Sequence, residues 1–135
     1  MQKLPRHQDG PLYVEISLSN SDHDVSTKVL KKKALVDTGC TLVTIPESLA
    51  KELSLNEYEP PEPVTVELAN GEKLKPKIYE GLVITYQGEP TVTNAYAMGN
   101  EILFGLSLMS VFELVIYPKA RQVTPIETFL KRQNF

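Results

Sequence analysis

At 135 residues, 41% hydrophobic and 23% charged, the chain has the size and balance of one globular domain and is too short for two complete lobes. A net charge of -3 with a pI near 5.4 argues against a nucleic-acid-binding role, which shows as a basic excess. With one cysteine and so no internal disulfide, no apolar signal-peptide core at the start and no window long enough to span a bilayer, the expectation is a soluble, cytoplasmic protein without a membrane partner.

Residues 1–11 form a polar stretch containing Pro5 and Gly10 and read as a flexible arm. From Leu12 to Leu18 apolar and polar residues mostly alternate, which is the period of a half-buried strand. Ser19 to Asp24 gathers turn formers, and Val25 to Leu30 reads as the returning strand of a hairpin. Within that loop Asp22-His23-Asp24 has no second cluster of ligands to complete a metal site, so no metal and no cofactor are expected. Lys31-Lys32-Lys33 is the sole basic run. A solvated strand start is its plainer meaning, an interaction patch the other.

Next comes Ala34-Leu35-Val36-Asp37-Thr38-Gly39-Cys40-Thr41, an apolar run that stops in an acid, a β-branched hydroxyl residue and a glycine. Such a run suits a strand buried on both faces, and Gly39 leaves the chain free to turn where the strand ends. The acid therefore sits half out of the core. Two roles are open to it: ordinary turn chemistry, in which the Asp37 side chain bonds backbone N–H groups further along, or an exposed acid available for catalysis.

Leu42-Val43-Thr44-Ile45 is a short β-rich run, and Pro46 to Leu53 has a proline at its start, acids in its first turn and Leu49 and Leu53 four apart, as a short helix requires. Prolines at 60, 61 and 63 make Tyr58 to Pro63 an extended connector. Val64 to Leu68, a turn at Ala69-Asn70-Gly71-Glu72 and a β segment from Lys73 towards Tyr79 form a hairpin. Gly81 to Tyr86 and Thr91 to Ala97 add two strands around a Gln87-Gly88-Glu89-Pro90 turn. So many short strands predict a sheet-rich barrel or sandwich. Glu101 to Met109 runs from three large apolar residues into Gly105 and then into one or two helical turns. Glu113 to Tyr117 and Arg121 to Thr124 read as strands flanking a Pro118-Lys119-Ala120 turn. The remaining tail, residues 126–135, is open to fraying or to docking through Ile126, Phe129 and Leu130.

This order of parts, with Ala-Leu-Val-Asp-Thr-Gly-Cys-Thr followed by a short helix, a glycine-containing hairpin and Leu103-Phe104-Gly105, resembles the retropepsin-like aspartic proteases of retroviral type. The resemblance covers roughly residues 12–125, in the form of a cellular or prokaryotic single-domain member. It implies a mainly β fold, a closed acid-protease barrel with one or two short helices and one lobe per chain. It implies that Asp37 is the catalytic acid, that Thr38, Gly39 and Cys40 support its loop, and that Leu103, Phe104 and Gly105 pack beneath it. Leu68, Ala69, Asn70, Gly71 and Glu72 become the flap over substrate. An Asn-Gly turn is also a common solvent-exposed hairpin tip. Thr38 is either a plain β-branched residue or, as the resemblance implies, a brace bonding across a subunit boundary. Cys40 stands where relatives carry alanine or serine, as a small buried hydrophobe or as a group that tunes the acid.

Hydrolysis by this route needs two carboxylates sharing one proton, because like charges a few ångströms apart do not both ionise cheaply. The charged carboxylate takes a proton from water while the neutral one donates to the scissile carbonyl. With one Asp-Thr-Gly in the chain, Asp37 has to meet its symmetry mate, so the resemblance implies a homodimer acting on a polypeptide substrate. The alternatives are a retropepsin-like domain that binds peptides or assembles a complex without cutting, and an unrelated small β-barrel binding module.

Overall fold

Strand β1 (Tyr13–Asn20) buries Ile16, Leu18 and Asn20 at every second position, as a strand with one face on a core must. The computed structural model to which it belongs describes residues 11–68, 70–117 and 122–126. The arm at residues 1–10, Ala69 of the hairpin tip, the Pro118-Lys119-Ala120 turn and the tail beyond Ile126 lie outside the described residues.

β1 pairs antiparallel with β2 (Val29–Val36), Tyr13 opposite Leu35 and Ser19 opposite Val29. The returning strand thus begins at Val29 and not at Val25. Asp22 O accepts the amides of Val25 and Ser26 at 3.1 and 3.2 Å, and Asp22 Oδ1 accepts that of Asp24 at 3.0 Å, which commits the stretch to a turn. Lys31, Lys32 and Lys33 therefore lie exposed inside β2, not ahead of it.

After β3 (Thr44–Ile45), Pro46 leads into helix α1 (Glu47–Glu52), which buries Leu49 and Ala50 with Leu53 just beyond. The helix stops at Ser54, whose φ of 56° leaves the helical region. Two of its terminal carbonyls are satisfied by a strand side chain: the buried Asn20 amide donates to Leu53 O at 2.9 Å and Ser54 O at 3.1 Å. β4 (Asn56–Tyr58) follows, then the small hairpin of β5 (Val66–Glu67) and β6 (Lys73–Leu74).

β7 (Lys77–Tyr86) is one long strand where the sequence suggests two, and it changes partner midway. Ile78 to Glu80 pair with β4, and Leu82 to Thr85 pair with β1 across a bulge between Tyr79 and Leu82. Gly81 makes the switch with φ +79°, where a Cβ would also lie 2.8 Å from Ser21 Oγ. The remaining elements are β8 (Glu89–Ala97), β9 (Leu103–Phe104), α2 (Leu106–Val111), β10 (Leu114–Tyr117) and β11 (Gln122–Pro125).

Strand order β1-β2-β9-β3-β8-β7, with β7 returning to β1, closes a six-strand barrel, and β4 lies on the outer edge of β7. Among the described residues the fold is mainly β with two short helices, as expected. Phe104, Leu18, Ile45, Leu53, Leu82, Ile84 and Leu108 are its largest fully buried apolar side chains. Phe104 stacks with Phe112 at 6.0 Å and meets Tyr86 at 5.5 Å, so the residue beneath the Asp37 loop is also the middle of the core. Among the described residues no helix is long and apolar enough to cross a membrane.

Candidate active site

One short strand holds both limbs of the Asp37 loop. β9 lies parallel to the end of β2, Leu103 beside Leu35 and Phe104 beside Val36, and antiparallel to β3, where Thr44 faces Leu103. The Leu35 amide donates to Ile102 O at 2.8 Å, and the Asp37 amide to Phe104 O at 3.1 Å. The chain enters the loop from one side of β9 and leaves on the other.

Gly105 fixes the depth of that contact. A Cβ there would collide with the carbonyl oxygen of Cys40 and lie 3.0 Å from its carbonyl carbon and 3.4 Å from Asp37 O. The Leu106 amide then donates to Cys40 O at 2.8 Å. With extended backbone at Gly105 (φ -97°, ψ -167°), close approach and not conformation demands the glycine. The structure thus brings Leu103, Phe104 and Gly105 together with Asp37, Thr38, Gly39 and Cys40.

Within the loop both meanings of Asp37 are realised at once. Its carbonyl accepts the Cys40 amide at 3.2 Å and its Oδ1 accepts the Gly39 amide at 3.0 Å, which is turn chemistry. Oδ2 has no hydrogen-bond partner among the described residues, and the side chain is half-buried while Thr38 and Gly39 are exposed. Gly39 does not adopt positive φ, so it is not the turn that needs a glycine here. A Cβ would stand 3.3 Å from Asp37 Oδ1, and its absence keeps the space beside the carboxylate open.

Cys40 directs its thiol along the outgoing limb. Sγ donates to Leu42 O at 3.2 Å and lies 3.8 Å from Thr44 Oγ1. Those are its partners, and the Asp37 carboxylate is not among them. Thr44 is a buried polar residue that the sequence reading passed over; a lone hydroxyl inside Leu42-Val43-Thr44-Ile45 was the available signal.

The flap candidates form a separate two-stranded sheet, Val66 opposite Leu74 and Glu67 opposite Lys73. The Leu68 amide bonds Glu72 O at 2.8 Å, the Gly71 amide bonds Leu68 O at 2.9 Å, and Asn70 Oδ1 accepts the Glu72 amide at 2.9 Å. Gly71 sits at φ +86°, as the tip requires. Asn70, Gly71 and Glu72 are exposed and Leu68 is half-buried. Among the described residues no hydrogen bond or strand pairing joins this hairpin to the Asp37 loop.

Of the charges elsewhere, Glu47 is held below the ordinary carboxylate range, first by a hydrogen bond from Lys77 at 3.3 Å and then by that ammonium's charge. Burial raises the Tyr86 hydroxyl. Among the described residues no three His, Cys, Asp or Glu side chains are grouped to hold a metal.

Comparison with known proteins gives a family and a fold. The family model described as aspartyl protease matches residues 25–108. Among solved structures, the EIAV protease complexed with the inhibitor HBY-793 is similar with a TM-score of 0.57, at 11% identity over 80% of this chain and 93% of that one. At that identity the likeness speaks for the fold alone. No curated protein matches the chain.

Proposed function

The chain belongs to the aspartyl protease family, and we propose that it is an endopeptidase whose active form is a homodimer, with Asp37 of each subunit supplying half of a carboxylate pair. The observation that carries this reading is the placement of Asp37. It projects from a loop pinned on both limbs, with one oxygen tied to the turn and the other without a partner among the described residues. A rigid backbone with an unengaged carboxylate oxygen suits a group that has to act on a water or a carbonyl.

In the dimer the two acids face each other and share a proton. The ionised one draws a proton from water, the water oxygen attacks the scissile carbonyl carbon, and the protonated one donates to the carbonyl oxygen. Collapse of the tetrahedral intermediate then breaks the C–N bond, with a proton passing to the leaving amine. The exposed Thr38 hydroxyl braces the two loops across the two-fold axis, and Gly39 leaves room for the opposing carboxylate. The β5–β6 hairpin, with Leu68, Ala69, Asn70, Gly71 and Glu72, closes over the substrate as a flap.

Incubation of a proteome-derived peptide library with wild type and with Asp37→Asn, read by mass spectrometry, tests the reaction. The expected result is a set of cleavages that only wild type makes, with the variant still folded because asparagine keeps the size and the turn bond of aspartate. Equal cleavage by a rigorously purified Asp37→Asn protein would refute the assignment.

A further inference from the structure

Strand β2 leaves half of its backbone unpaired along one side. Its register with β1, and the bond from the Val36 amide to Leu12 O at 2.8 Å, put the even-numbered residues of β2 in hydrogen-bonded pairs with β1. Val29, Lys31, Lys33 and Leu35 therefore direct N–H and C=O groups to the other side. β9 meets only Leu35 and Val36, so among the described residues Val29, Lys31 and Lys33 present an open strand edge.

The same stretch carries Lys28, Lys31, Lys32 and Lys33, none of them in an ion pair among the described residues, in a chain whose net charge is -3. Concave surface lies on each side of it, one groove on the side of β1 and one beside the open edge. Lys31, Lys32 and Lys33 line a groove of about 690 Å³ with Ser17, Gln87 and Glu15, the last standing opposite Lys33 on β1. Lys32 and Lys33 line a second, of about 420 Å³, with Ser48, Leu49 and Glu101, whose carboxylate accepts the Tyr13 hydroxyl. Lysines on an open edge discourage edge-to-edge aggregation, but that role needs neither groove. Four lysines against the two acids Glu15 and Glu101 leave this surface basic, and with the free backbone groups and the concavity beside the open edge it fits an extended chain of opposite charge.

We propose that the β2 edge is a docking strand for an acidic, extended segment of the polypeptide substrate. The identification of that partner as substrate rests on the protease reading above. The docked segment bonds to the backbone of Val29, Lys31 and Lys33, and its acids meet Lys31 and Lys33 on one face and Lys32 on the other. At about 3.3 Å per residue, Lys33 and Val29 lie roughly 13 and 26 Å along the strand from Asp37. A segment held there raises the local concentration of the linked cleavage site without occupying it.

The test uses full-length protein carrying Asp37→Asn, so that binding is read without cleavage. It is titrated with a ten-residue peptide alternating glutamate and valine, with the lysine counterpart as control, and backbone amide exchange is followed by NMR. Exchange should slow at Lys31 and Lys33 and stay unchanged at Lys32, whose amide already bonds β1. Adding Lys31→Glu and Lys33→Glu should weaken binding by at least about tenfold, and the lysine peptide should not bind. The proposal is overturned if the acidic peptide does not bind, binds without slowing Lys31 and Lys33, or binds the charge-reversed protein equally well. Should Lys31→Thr with Lys33→Thr cause self-association while no peptide binds, the lysines are edge guards only. Docking without any cleavage by wild type would overturn the protease reading and leave the strand assignment standing; cleavage without docking would do the reverse.

Discussion

Gly105 is the residue on which the Asp37 loop rests, and its requirement is steric. A methyl group there must displace either the Cys40 carbonyl or the start of α2, and overpacking of this kind costs about 1–3 kcal/mol. Gly105→Ala should show that loss in urea unfolding, together with a fall in cleavage larger than the unfolded fraction explains, because the loop moves with the carbonyl. A variant as stable and as active as wild type would show that the contact is slack. Cys40 leads to a different expectation from the one its sequence position suggests. Since the thiol engages Leu42 O and Thr44 Oγ1, Cys40→Ser and Cys40→Ala should keep the wild-type acidic limb of kcat/KM. Cys40→Ala should cost no more than about 1 kcal/mol of stability. Movement of that limb in the serine variant alone would mean that the side chain does reach the acids. Asp37 and Gly105 stand out in the sequence because each ends an apolar run, and their expected roles come from the resemblance; the tight space at Gly39, where a Cβ would lie 3.3 Å from Asp37 Oδ1, is a contact that no local pattern encodes.

At the scale of elements, the sequence reads well where one local signal governs and poorly where a distant partner decides. Alternation located β1, and Pro46 with Leu49 and Leu53 located α1. The start of β2 was misplaced because Val25 looks β-prone while Asp22 captures its amide. The change of partner along β7 leaves no trace in its alternation; β3 does fall within the β-rich run Leu42 to Ile45, whereas the two-residue β9 is too short for any period. Long-range charge ties are equally hidden: Glu47 of α1 meets Lys77 of β7 at 3.3 Å, with Lys51 at 3.6 Å on its own helix. Lys77, by hydrogen bond and then by charge, lowers the Glu47 pKa in the folded state. The folded protein therefore holds a proton there less readily than the unfolded chain does. The tie stabilises above the unfolded carboxylate range and is lost as pH falls through the lowered folded value. Its contribution is modest, because the Glu47 side chain is 42% exposed and solvent screens the pair. Glu47→Gln should lower the urea midpoint near neutrality and narrow its difference from wild type as acid is added. Curves that stay parallel down to about pH 3 would remove the tie from the account.

On the scale of the whole molecule, the closed barrel was expected from many short strands and from the resemblance. Its ring order, with β9 wedged between β2 and β3, follows from long-range pairing that turn spacing does not reveal. That wedge delivers one Asp-Thr-Gly loop per chain to the surface with Thr38 and Gly39 exposed, half of what the proposed chemistry needs. The dimer is therefore where the account is most open to test. Wild type at a fixed concentration, high enough to dimerise, is mixed with increasing Asp37→Asn protein, subunits are allowed to exchange, and cleavage per wild-type chain is measured. A carboxylate pair shared between subunits predicts inactive mixed dimers, so activity per wild-type chain should fall by about half at equal amounts and continue towards zero in excess variant. Activity per wild-type chain that stays constant at every ratio would mean that one chain cuts alone, and would contradict the shared pair.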